Sequence, residues 1–215
     1  DNIVMATKNG IIKKTNLSLY SKPRKGGIYA IEIREEDELI QAKISHKDQD
    51  IILATYHGKS IRFNENIIRS TGRKTMGVRG IRLSSKDDYV IGMLIVKREG
   101  SVMVVTNKGY GKRSDLSEYR VQNRGGKGVI TIKTTDKVGN LVGIMEAIDE
   151  DDIMLITNRG IMIRQPVEKI RTIGRNTQGV RLAKLDDKTY ITSATRVLKE
   201  EQTENDEGES VIEEE

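Results

Sequence analysis

Ile3-Val4-Met5-Ala6-Thr7, followed by the turn Lys8-Asn9-Gly10 and then by Ile11-Ile12-Lys13-Lys14, is the stretch on which the reading of this chain turns. An apolar run rich in β-branched residues, a short turn containing glycine and a second run together signal a β-hairpin. The same phrase returns three times: at Ile51-Ile52-Leu53-Ala54-Thr55 with Gly58, at Val102-Met103-Val104-Val105-Thr106 with Gly109, and at Ile153-Met154-Leu155-Ile156-Thr157 with Gly160. The threonines stand 48, 51 and 51 residues apart, so the chain is a four-fold internal repeat.

Each unit reads as four antiparallel strands. After the hairpin and a longer polar loop, a third strand begins at Gly27-Ile28, Gly77-Val78, Gly128-Val129 and Gly179-Val180. A fourth lies around Leu39-Ile40, Val90-Ile91, Leu141-Val142 and Tyr190-Ile191. An all-β unit of this size cannot bury both faces alone and must stack on its neighbours, which predicts propeller-like blades over about 1–49, 50–100, 101–151 and 152–199. Thirteen residues past each threonine stand Tyr20, Ile68, Tyr119 and Ile170, all large and apolar in body. The two prolines, Pro23 and Pro166, fall outside the expected strand interiors. Residues 200–215 have too little apolar surface to fold and are expected to form a disordered acidic tail.

With one Phe and no Trp, the core of this 215-residue chain must be built from Ile, Val, Leu and Met. The absence of cysteine excludes a disulfide framework and a cysteine zinc site, and no apolar run approaches a membrane span or a signal peptide, so a cytoplasmic protein is expected. The net charge of +5 conceals a sharper division: nine acids lie in 200–215, leaving 23 against all 37 lysines and arginines, a body of +14. Such a body favours a polyanionic partner, nucleic acid before membrane.

No catalytic constellation stands out from the repeat. The only histidines are His46 and His57, and the sister turns carry Asn9, Lys108 and Arg159 where His57 stands. Gly58-Lys59-Ser60 resembles the end of a phosphate-binding loop, yet the glycine required five residues earlier is Leu53. Tyr20 and Tyr119 occupy the place of Ile68 and Ile170, which points to packing rather than nucleophilic attack. The acid pairs Asp87-Asp88, Asp151-Asp152 and Asp186-Asp187 recur at unit junctions, where solvated turns account for them better than metal sites.

The basic residues, by contrast, follow the repeat. Before the third strand the first unit carries Lys22, Arg24 and Lys25, and the second Arg69, Arg73 and Lys74, with Arg79 just beyond. The third carries Lys112, Arg113, Arg120, Arg124 and Lys127, and the fourth Lys169, Arg171, Arg175 and Arg181. Eighteen residues past the anchoring threonine, arginine recurs as Arg73, Arg124 and Arg175. Stacked units would set these loops along one rim as a curved basic track suited to duplex DNA, held through phosphates with steep salt dependence and little sequence preference. Single-stranded binding would need aromatic platforms, which the few and mostly interior aromatics do not supply.

Gln122-Asn123-Arg124-Gly125-Gly126-Lys127-Gly128 resembles the gyrase box, with Asn123 where arginine is usual. Together with Thr106-Asn107-Lys108-Gly109-Tyr110-Gly111-Lys112-Arg113, Gly72-Arg73-Lys74-Thr75-Met76-Gly77-Val78-Arg79-Gly80 and Ile173-Gly174-Arg175-Asn176-Thr177-Gln178-Gly179-Val180, it is similar to the C-terminal domain of bacterial DNA gyrase A. The resemblance implies a β-pinwheel whose blades exchange strands and wrap DNA on a basic rim. It also implies a non-enzymatic module serving ATP-dependent negative supercoiling, with the cleavage tyrosine, ATP and magnesium elsewhere in the holoenzyme. Expected partners are duplex DNA, the rest of gyrase A, and gyrase B in an A2B2 assembly, near the bacterial nucleoid; the domain alone is expected to be a monomer. That family usually has six blades with the box in the first, so these read as the last four, with Gln122–Gly128 a later copy. The C-terminal domain of topoisomerase IV, which bends DNA, and a propeller serving as a protein-interaction scaffold are the competing readings.

Overall fold

The computed structural model describes residues 1–197; the expected tail at 200–215 and the end of the fourth unit lie outside the described residues. Among these, the elements are strands and four short 3-10 turns. Blade 1 is built on β1 (Asn2–Thr7), β2 (Ile11–Asn16) and β3 (Leu39–Ser45), and blade 2 on β4 (Asp50–Thr55), β5 (Lys59–Asn64) and β7 (Val90–Ile95). Blade 3 has β8 (Ser101–Thr106), β9 (Tyr110–Asp115) and β11 (Leu141–Ala147), and blade 4 has β12 (Asp152–Thr157), β13 (Met162–Pro166) and β15 (Ile191–Val197).

The repeated threonine organises each hairpin. Its carbonyl accepts from the turn glycine at 2.9 to 3.1 Å in all four blades. Its hydroxyl accepts from the amide four residues on, at or just before the start of the next strand: Ile11, Lys59, Tyr110 and Ile161 at 3.2, 3.4, 3.2 and 3.1 Å. Serving both purposes needs a small buried hydroxyl, and Thr7, Thr55, Thr106 and Thr157 are all buried. Each hairpin then enters a 3-10 turn. Asn16, Asn64 and Asp115 cap the first three by accepting from the amide two residues on, and Pro166 precedes the fourth without a side-chain cap.

The third strand does not stay in its own unit. The two-residue strands β6 (Val78–Arg79), β10 (Val129–Ile130) and β14 (Val180–Arg181) each pair with the hairpin of the preceding blade, giving the orders β3-β1-β2-β6, β10-β5-β4-β7 and β11-β8-β9-β14. This is the strand exchange that the resemblance to a β-pinwheel implies: the third strand read for each unit completes the sheet of the blade before it. No strand forms at Gly27-Ile28, and blade 4 has the three-stranded order β13-β12-β15.

The apolar runs are continuous because the central strands are covered on both faces. Ile51 and Leu53 of β4 pack with Val4, Ala6 and Ile12 of blade 1, while Ile52 and Ala54 pack with Val102 and Val104 of blade 3. Met103 and Val105 likewise meet Ile153 and Leu155 of blade 4. The core is thus three clusters, one in each joint between blades, and full burial of one Ile or Leu side chain contributes about 1.5–3 kcal/mol. Ile68, Tyr119 and Ile170 are buried as expected, and Tyr20 is half-buried.

Candidate nucleic-acid interface

The basic loops are the segments that lead into the exchanged strands. Each ends in a glycine at positive φ, +92° at Gly77, +69° at Gly128 and +77° at Gly179. A Cβ there would come within 2.5, 2.3 and 2.6 Å of the backbone oxygens of Ile12, Ser60 and Gly111 in the preceding blade. Only glycine lets the loop lie flat on its neighbour before β6, β10 or β14 begins.

The repeated arginines tie these loops in a row. Arg73 Nη1 donates to the carbonyl of Tyr29 at 3.3 Å, Arg124 Nη1 to that of Arg79 at 3.1 Å, and Arg175 Nη1 to that of Ile130 at 2.9 Å. Tyr29, Arg79 and Ile130 are equivalent residues, each two past the loop glycine of its own unit. Backbone bonds repeat the tie: Glu32, Arg82 and Lys133 donate their amides to the carbonyls of Thr75, Gly126 and Thr177 at 3.1, 2.8 and 2.9 Å. The four segments therefore form one continuous edge.

Along that edge Lys22, Arg24, Lys25, Arg69, Lys74, Arg79, Arg120, Lys127, Lys169, Arg171 and Arg181 are exposed. Arg73, Arg124 and Arg175 are half-buried, with part of each guanidinium committed to its carbonyl. Two residues expected to meet phosphate do not reach the surface. Lys112 is fully buried, and Arg113 is 9% exposed. Arg113 Nε donates to the carbonyl of Ile170 at 2.8 Å, and its Nη1 to Asp149. It belongs to a row of inter-blade clamps that includes Lys14, bonded to Glu65 at 2.7 Å, and Arg62, bonded to the carbonyls of Leu116 and Tyr119 at 2.9 and 3.1 Å. Conversely, Arg82, Lys133 and Lys184 are exposed five residues past the loop glycines, and sequence reading passed over them although three of the four repeats carry a base there.

Lys112 lies under the fourth loop. Its Nζ donates to the carbonyl of Gly174 at 2.7 Å, to the carbonyl of Arg175, and to the hydroxyl of Thr177 at 2.9 Å. Lys13 does the same under the second loop, reaching the carbonyls of Ala30, at 2.7 Å, and of Arg73. Burial lowers both ammonium pKa values, that of Lys112 to about 8; Arg175 adds to the fall for Lys112 and Glu118 opposes it, while Arg73 adds to the fall for Lys13. The equivalent residue under the third loop is Ile61, whose Cδ1 lies 3.5 Å from where a Cβ of Gly126 would be.

That third loop is the box-like motif Gln122–Gly128. The Gln122 amide donates to the carbonyl of Arg62 at 2.8 Å, and that of Gly125, at φ +80°, to the carbonyl of Gly80 at 2.6 Å. Gln122 Nε2 is buried without a hydrogen-bond partner among the described residues. Asn123 and Lys127 face solvent. Elsewhere, the Tyr119 hydroxyl is enclosed 2.6 Å from that of Thr131, and burial raises its pKa. His57 stands in its hairpin turn, 3.3 Å from Asp87.

A row of blades, three of them four-stranded because the next unit lends a short strand backward, edged by one line of cationic loops, defines the class: a β-pinwheel with a basic rim. The family described as DNA gyrase C-terminal domain, beta-propeller, matches residues 1–46, 49–97, 100–146 and 151–197, and the chain belongs to that family. The DNA gyrase A protein of Staphylococcus epidermidis is 43% identical over 203 residues, covering 94% of this chain and 23% of that protein. The chain thus spans about a quarter of the length of the curated relatives it matches. A solved DNA gyrase A C-terminal domain superposes with a TM-score of 0.82 at 26% identity, covering 92% of this chain and 66% of that one. The C-terminal domain of a DNA topoisomerase IV gives 0.86 at 24% identity, covering 92% of this chain and 62% of that one, a likeness of fold.

Proposed function

We propose that this chain is a duplex-DNA binding and bending module of a gyrase A protein, which wraps DNA along its basic rim in support of ATP-dependent negative supercoiling by the holoenzyme. The observation that carries the reading is the continuous edge: equivalent arginines tie successive loops together, and exposed bases project from every one of those loops. The +14 body and the family membership agree with it. The chain itself supplies binding and curvature; strand cleavage, ATP hydrolysis and the partner proteins belong to the rest of the assembly. Smooth bending of a short duplex costs on the order of 1–6 kcal/mol, which a few charge-assisted phosphate contacts per blade offset.

Charge reversal at exposed positions outside the arginine–carbonyl ties tests this directly, with the fold checked by circular dichroism because Lys74 lies over the Tyr29 ring and Arg181 donates to the Tyr110 hydroxyl. The variant Lys74→Glu, Lys127→Glu, Arg181→Glu should bind duplex DNA far more weakly and lower the slope of log affinity against log salt by about 3, close to one unit for each phosphate no longer neutralised. An unchanged slope would remove the rim from the binding surface. Wrapping is read separately, from the linking number of relaxed circular DNA closed in the presence of the domain. No shift would leave bending without a chiral wrap.

A further inference from the structure

We propose that Lys13 and Lys112 are positioning residues of the DNA edge: each ammonium, buried beneath the loop of the following blade, holds down the backbone from which Arg73 or Arg175 projects. The proposal rests on the DNA-binding reading above. In both cases one of the accepted carbonyls is that of the rim arginine itself, Arg73 for Lys13 and Arg175 for Lys112. No packing need explains the choice, because the equivalent place in blade 2 is filled by Ile61, also fully buried. Burying a cation where an aliphatic side chain fits costs free energy. What the cation adds is three directed N–H donors, which an isoleucine cannot offer to the loop above.

The charged groups acting on Lys112 are Glu118, in the 3-10 turn after its own strand, and Arg175 in the loop above. From the neighbouring strands, β8 sets Val104 opposite it, and β14 sets Val180 against the adjoining Gly111. With its proton held only to about pH 8, Lys112 becomes a neutral amine in mildly alkaline solution. The neutral amine keeps two N–H groups and gains a lone pair, so either one acceptor is released or the Thr177 hydroxyl turns to donate to the amine and gives up its bond to the Gly174 carbonyl; both loosen the fourth loop as pH rises through that value. The third loop, seated on Ile61, has no such step.

The test uses the whole chain and a labelled duplex at constant ionic strength. Lys112→Met should bind about fivefold more weakly than the parent near pH ~7 and lose the parent's decline toward pH ~9. Amide hydrogen exchange at Gly174–Gly179 should accelerate in the variant without DNA, while that at Gln122–Gly128 stays unchanged. Parent-like affinity and pH profile in Lys112→Met, or retained protection of Gly174–Gly179, overturns the proposal. If Lys112→Met does not fold, the parent decides: the amide resonances of Gly174 and Thr177 must shift with the same midpoint as the Lys112 side chain, and independent midpoints overturn it. A parent without DNA affinity defeats the functional reading, while the exchange and resonance readouts still decide whether the lysine holds the loop.

Discussion

The loops Gln122–Gly128 and Ile173–Gly179 have equal length, occupy equivalent places and carry arginine at the same position, yet they are supported in opposite ways. The second rests on the Lys112 ammonium and closes on itself through Thr177, whose hydroxyl donates to the Gly174 carbonyl at 2.8 Å. The first rests on an aliphatic side chain, and where threonine stands in its sister it has Gly126. Of its two adjacent glycines, Gly125 holds a positive φ of +80°, whereas a Cβ on Gly126 would meet nothing nearer than Ile61 Cδ1 at 3.5 Å, an ordinary contact. The first glycine of the box-like pair therefore has a structural cause independent of any phosphate, its left-handed backbone, and the second has none in its local contacts. The second loop, Gly72–Gly77, sides with the fourth: Thr75 bonds the Gly72 carbonyl at 3.0 Å, and Lys13 lies below. The joints between blades thus alternate in kind along the edge.

The contrast is most severely tested by placing a lysine under the third loop. Ile61→Lys should destabilise the fold by about 3–5 kcal/mol, the cost of a buried charge without its partners, as read from denaturant unfolding. A cost below about 1 kcal/mol would show that the glycine loop offers acceptors as readily as the threonine loop, and the distinction would dissolve. Next in size is Gly128→Ala, which combines positive φ with a Cβ 2.3 Å from the Ser60 oxygen. It should cost on the order of 3 kcal/mol and detach β10 from β5, visible as lost amide protection at Ser60 and Val129.

Alkaline pH gives a smaller and signed effect. The folded chain loses the Lys112 proton near pH 8, whereas the unfolded chain keeps it to about 10.5. The unfolded state therefore binds more protons across that window, and this group makes stability rise with pH there, even as its loop loosens. Lys112→Met should flatten that rise in the unfolding midpoint, and a slope equal to the parent's would count against the buried cation. The least effect belongs to Gly126→Ala: its φ is not positive and the nearest atom would lie at 3.5 Å, so a change within about 0.5 kcal/mol is expected. A larger cost would mean that Gly126, rather than the floor beneath it, decides the loop.

Much of the fold was legible in the sequence because its strongest devices recur at fixed intervals. The threonine that closes each hairpin, the turn glycine and the large residue thirteen places on all survive four repetitions and set the register. The destination of the third strand was not legible from the residues, since two paired residues leave no periodic signal and Val78-Arg79 would look the same in either blade. The error over Lys112 and Arg113 came from counting charge without depth. A sequence signal did exist: six residues past the anchoring threonine stand Lys13, Ile61, Lys112 and Ile163, and a place that accepts isoleucine in sister units is an interior place. The same comparison marks Arg82, Lys133 and Lys184 as surface cations.

The strand exchange also fixes where mechanical load goes. Arg175 is followed at Gly179 by β14, which is bonded to β9 of the preceding blade. On the proposed DNA-binding reading, tension from a bent duplex held at that arginine would pass along a few peptide units into the seam between blades 3 and 4 before reaching the sheet of blade 4. Each seam also holds one of the three buried apolar clusters, so on that reading the load would fall where the core itself lies.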